Sequence, residues 1–119
     1  MQKMYLSLVL LLVCAVVGCG RRDGLTRYAI YGTVTYDGKP LAEGRVRFTP
    51  DSDQGNRGPA SMIDVVDGRY RSIDGYGVLG GAYTVEIREL GPSPTIPPYT
   101  LKIELPKKDS VQDFEIPRK

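Results

Sequence analysis

From Tyr28 onward the chain alternates in polarity residue by residue, and this period of two constrains the fold more than any other feature. The clearest case is Ala82 to Arg88, where Tyr83, Val85 and Ile87 alternate with Thr84, Glu86 and Arg88. Successive side chains of a strand point to opposite faces, so such a stretch is a strand with one buried face. Tyr28 to Tyr36 repeats the pattern, with Ile30, Gly32 and Val34 set against Tyr31, Thr33 and Thr35. Gly44 to Pro50 turns Val46 and Phe48 inward and Arg45, Arg47 and Thr49 outward. Residues 60–66 and 70–73 are shorter strands, and Leu101, Ile103 and Leu105 alternate with Lys102 and Glu104. The last strand, 111–116, is expected to contain an irregularity, because Val111 is out of step with Phe114 and Ile116.

Punctuation between these runs is equally consistent. Asp37-Gly38 and Asp67-Gly68 are hairpin turn pairs, 51–58 is a polar loop, and Pro92, Pro94, Pro97 and Pro98 make 90–98 a loop or linker. About seven short strands at intervals of ~8–12 residues, each with one apolar face, must bury those faces against one another. The expected fold is therefore all-β, a seven-stranded antiparallel two-sheet sandwich over residues 28–119. A domain of ~100 residues is large enough to be stable without crosslinks.

The segment before Tyr28 has a different character. Lys3 precedes an apolar run from Tyr5 to Val17 that is interrupted only by Ser7. As a helix it would cover ~20 Å, short of the ~30 Å core of a bilayer, so a signal helix is expected rather than a membrane span. The run ends on Val16-Val17-Gly18-Cys19, which resembles the bacterial lipobox. That resemblance implies a signal peptide over 1–18 and an acylated, palmitate-type Cys19 as first residue of the mature chain, with the lipid membrane as its partner. Cys14 would leave with the signal. With two cysteines and no histidine in the chain, a zinc-type pair is excluded. Gly20 to Arg27 then reads as a polar tether reaching at most ~28 Å. Arg21, Arg22 and Arg27 could each add ~1 kcal/mol beside anionic headgroups.

Four motifs then occur in order: Gly32-x-Val34-x-x-Asp37-Gly38-Lys39-Pro40-Leu41, Val46-x-Phe48-x-Pro50, Asp67-Gly68-Arg69-Tyr70, and Gly77-x-x-x-Gly81-x-Tyr83-x-Val85-x-Ile87. Together they resemble the carboxypeptidase regulatory-like domain, a transthyretin-like (prealbumin-like) sandwich, as carried by small lipoproteins of planctomycete-type bacteria. The resemblance covers roughly residues 28–116. It implies the sandwich fold and a non-catalytic role in adhesion, assembly or ligand display, and it conveys no ligand.

Candidate chemistry beyond the anchor is sparse. Gly75-Tyr76-Gly77-Val78-Leu79-Gly80 spells a dinucleotide fingerprint, but the strand pattern 83–87 stands where that motif needs a helix, so no nucleotide is expected. Asp51 and Asp53 hint at calcium without its loop pattern, since Gly55 and Met62 occupy ligand positions. A Lys–Asn isopeptide crosslink, found in related adhesin sandwiches, lacks its partners: the only asparagine is Asn56, and Tyr28 to Tyr36 contains no lysine. Without histidine, no positioned base accompanies a nucleophile, and a non-enzymatic protein without cofactor is expected. A net charge of +2 argues against nucleic acid. Binding, if any, is expected on the 51–58 and 90–100 loops, with Tyr76, Tyr99, Asp51 and Asp53 as candidate contacts. The sequence thus reads as a membrane or outer-membrane lipoprotein exposed to periplasm or cell surface. Its role is protein interaction, assembly or structure at the cell envelope, with small-ligand or glycan binding as the alternative.

Overall fold

The structure, a computed structural model, describes residues 25–118, so the expected signal segment and Cys19 lie outside the described residues. Those described form β1 (Ile30–Tyr36), β2 (Lys39–Pro40), β3 (Glu43–Pro50), β4 (Ser61–Val66) and β5 (Arg69–Arg71). After these come β6 (Gly81–Glu89), β7 (Tyr99–Leu105), β8 (Ser110–Val111) and β9 (Phe114–Ile116). A single 3-10 turn, Ser52–Gln54, is the one helical element among the described residues. The fold is all-β, as the alternation requires.

The strands form one curled sheet in the order β2-β1-β5-β4-β3-β6-β7, with β8 and β9 on the other edge of β1. Two tight hairpins organise it. Asp37-Gly38 joins β1 to β2 and Asp67-Gly68 joins β4 to β5, and the four residues have φ of 51°, 76°, 51° and 76°. Positive φ at both central positions is the type I′ signature, whose twist matches that of paired strands. Past its turn the second hairpin parts, because β4 and β5 share only the pair Val66↔Arg69. The sheet bends there.

Curling is visible in the core. Phe48 on β3 and Phe114 on β9 stand four strand steps apart, ~19 Å on a flat sheet. Their rings are 6.1 Å apart, and Tyr70 on β5 lies 6.0 Å from each. The sheet therefore folds back on itself around this aromatic cluster. Ile30, Val34, Val46, Val85 and Ile87 are fully buried around it, the inward phase that the sequence indicates. Tyr36, Ile96, Tyr99 and Leu101 pack against its margin.

Two expectations are corrected. There are nine strands rather than seven, because β2 forms beyond the first turn and the last strand is divided. Nor is the arrangement antiparallel throughout: β8 and β9 run parallel to β1, pairing Ile30 with Ser110 and Val34 with Phe114. The physical reason lies at Gly32, where an ideal Cβ would stand 2.1 Å from the Gln112 carbonyl oxygen. Only a residue without a side chain lets the closing segment approach so near. Across the gap Asp113 Oδ1 accepts hydrogen bonds from Thr33 N (2.9 Å) and Thr33 Oγ1 (3.0 Å), replacing the ladder between β8 and β9. That break is the irregularity expected from Val111.

The buried phenols give a pH dependence. Burial raises the Tyr70 pKa, the Asp113 carboxylate raises it further, and its hydroxyl donates to the Gln112 carbonyl at 2.5 Å. Burial also raises Tyr83, against the opposing hydrogen bond from Leu79 N and the charge of Arg27. An unfolded tyrosine ionises near pH ~10 while these folded ones keep their protons. Their contribution to stability is thus complete below about pH 10 and is lost as the pH rises beyond it. Urea unfolding repeated from neutral to about pH 11 should show this decline, and Tyr70→Phe should reduce it.

Candidate functional site

Strand directions place the loops at two opposite ends. Residues 51–60, 72–80 and 106–109 gather where β1 begins, and 90–98 lies where β1 ends. The two loops expected to bind are therefore not brought together.

In the first of them Asp51 is buried and engaged with its own turn. Its Oδ1 accepts from Asp53 N at 3.2 Å, and its carbonyl accepts from Gln54 N and Asn56 N at 3.1 and 3.0 Å. Lys102 Nζ stands 3.6 Å from Asp51 Oδ2. Asn56 holds the loop down, donating through Nδ2 to the Gly80 and Ala82 carbonyls at 3.1 and 2.6 Å. Asp53 remains exposed, and no group of three metal-capable side chains occurs among the described residues. The sequence offered no signal for the role of Asn56, because its partners are backbone atoms distant in the chain.

Tyr76 is 66% exposed at the same end, on the turn closed by Tyr76 N to the Ile73 carbonyl at 2.9 Å. The glycine motif around it is packed against the start of the domain. A Cβ on Gly77 would lie 1.9 Å from the Tyr28 carbonyl oxygen, and Val78 and Tyr28 exchange hydrogen bonds of 2.7 and 2.9 Å. Leu79 N donates to the Tyr83 hydroxyl at 2.8 Å. The N–H groups of Tyr76, Val78 and Leu79, which a phosphate cradle would present, are therefore already donated within the fold. The next element is β6, a strand and not the helix that a dinucleotide site requires.

Tyr99 sits at the opposite end, half-buried as the first residue of β7. With Tyr36, Ile96 and Ile116 it lines a cavity of about 50 Å3 that closes this end. Glu89 Oε1 accepts from Thr95 N and Ile96 N at 2.6 and 3.2 Å, which fixes the proline-rich loop. Tyr99 thus belongs to the margin of the core, while Tyr76 projects.

A third region carries no mark in the motifs. On the outward face of β4, Met62 is 64% and Val66 is 61% exposed, with Ile73 at 73% and Val111 at 54% nearby. Two depressions of about 420 and 550 Å3 open there, and both are lined by Asp64 and Arg71. Arg45 Nε donates to Asp64 Oδ1 at 3.0 Å, and the Arg71 guanidinium lies 4.4 Å above the Tyr31 ring. One signal could have found this face: in residues 61–66 the outward phase carries two large apolar residues, Met62 and Val66, on either side of Asp64, while Ile63 and Val65 are buried.

In comparison with known proteins, the sequence matches no family and no curated protein.

Proposed function

We propose that the chain is a lipoprotein whose β domain serves protein interaction, assembly or structure at the cell envelope, held to a membrane through acylated Cys19. The observation that carries this reading is the run Val16-Val17-Gly18-Cys19 after a short apolar stretch and before a polar tether. Thioether-linked diacylglycerol plus an N-terminal acyl chain would anchor it durably, since each buried CH2 contributes ~0.8 kcal/mol and two or more chains are needed. The domain would ride close to the bilayer, because the tether is short and the start of the domain is fastened: Arg27 Nη1 donates to the Gly77 carbonyl at 3.4 Å.

The fold is best read as a two-sheet sandwich of the transthyretin-like, carboxypeptidase regulatory-like kind, with β7-β6-β3-β4 facing β5-β1-β9. The parting of β4 from β5 and the contact of Phe48 with Phe114 support it. A non-enzymatic role is favoured by how the loop polar groups are engaged. Asp51, Asn56, Asp109 and Asp113 each bind main chain, as do Ser61 and Ser72. Such groups fix loops rather than act on a substrate.

Replacement of Cys19 tests the anchor. Cys19→Ala should abolish metabolic fatty-acid labelling and leave full-length precursor, whereas continued labelling would overturn the proposal.

A further inference from the structure

We propose that the cleft between β4 and β5 is a docking site for an acidic polypeptide segment, which adds as an extended strand to the free edge of β4. The proposal deepens the reading of the chain as an interaction module and rests on it for the partner being a protein.

Three features meet at this cleft. First, β4 is fully paired with β3, but toward β5 it has only Val66↔Arg69. From Met62 to Val65 that edge has no ladder partner, and an unpaired edge is a template for a strand from another chain. Second, the exposed large apolar side chains concentrate here. Met62, Val66, Ile73, Tyr76 and Val111 are five of the seven found among the described residues. Third, the cations of this face are arginines. Of the arginines lining the two depressions, Arg45 is paired with Asp64, but Arg69 and Arg71 form no ion pair among the described residues.

Those two guanidiniums set the partner's chemistry. A guanidinium fork matches a carboxylate bidentately, so glutamates or aspartates of an incoming segment would complete each one. Arg71 is already positioned by the Tyr31 ring, which lowers the entropy lost when it binds. Alternate side chains of an added strand would point outward and inward over the depressions of about 420 and 550 Å3. Arginine, tyrosine and methionine are the residues enriched at protein interfaces. A planar lipid surface would not fill concave depressions, and it would accept lysine equally well. The unpaired edge from Met62 to Val65 is only about 13 Å long. That is too short for a stable interface between folded domains, which needs ~800 Å2 per partner, and it suits a segment.

The test uses the full-length chain in neutral detergent micelles with a fluorescent random copolymer of glutamate and tyrosine as probe. Anisotropy should show saturable binding that weakens by about tenfold or more in the Arg69→Ala/Arg71→Ala double variant, both positions being exposed. Amide hydrogen exchange should show new protection over 61–66 and 69–73, and none over 99–105 on the free edge of β7. Protection on β7, no protection at all, or undiminished binding by the double variant would overturn the proposal. So would vesicles of anionic phospholipid that protect the cleft when the copolymer does not, since that result assigns the face to a membrane. Cys19→Ala leaves the cleft intact, so a failure of anchoring and a failure of docking are read separately.

Discussion

Replacing Phe48 with alanine should lower the free energy of unfolding by about 3–5 kcal/mol, the range for removing a fully buried phenylalanine. Phe48 is 0% exposed and meets both Tyr70 and Phe114. Its removal therefore empties the contact at which β3 touches strands that the ladder itself keeps far away. Domains of this size have only ~5–15 kcal/mol in total, so the variant should unfold at much lower urea with an unchanged slope. Met62→Ala is the control. It sits on the neighbouring strand but faces outward at 64% exposure, and its effect should stay within about 0.5 kcal/mol. Equal losses for the two would mean that the sheet does not fold back over Phe48.

Gly32→Ala should cost about 3 kcal/mol or more, by a different route. The added Cβ would meet the Gln112 carbonyl oxygen at 2.1 Å and Asp113 Oδ1 at 2.9 Å. The first is backbone and cannot yield alone, and the second is a side-chain tip held by two hydrogen bonds to Thr33, so the closing segment must move as a unit. That movement loosens the Asp113 bonds to Thr33, the Tyr70 hydroxyl bond to Gln112, and Gln112 N to the Tyr31 carbonyl at 2.9 Å. Amide exchange should rise across 110–116 well before it rises in β6. A variant within about 0.5 kcal/mol of the parent, with exchange unchanged, would contradict the close approach.

These two positions also mark how far the sequence could be read. The inward phase of Val46, Phe48, Tyr83, Val85 and Ile87 was legible because alternation depends on neighbours in the chain. Both Asp-Gly turns were legible because few residue pairs accept positive φ twice in succession. The parallel pairing of β8 and β9 with β1 was not. Its register joins segments far apart in the chain, Ile30 to Ser110 and Val34 to Phe114, and the sole local trace is a glycine that alternation merely counts as inward. The same limit applies to the candidate sites. Tyr76 and Tyr99 looked equivalent in composition, but one projects from a turn and the other fills the edge of the core. The cleft beside β4 depends on where a hairpin opens, which no pattern of residues along one strand encodes. Even so, Met62 and Val66 in the outward phase were a trace of it.

The most direct measurement of the central claim is the mass of the N-terminal peptide of the protein extracted from membranes of its own cells. A lipoprotein anchored as proposed yields a peptide that begins at Cys19 and carries diacylglycerol on Sγ, with an acylated amine in addition where that step occurs. A mature chain that begins elsewhere, or that contains an unmodified Cys19, would contradict the account.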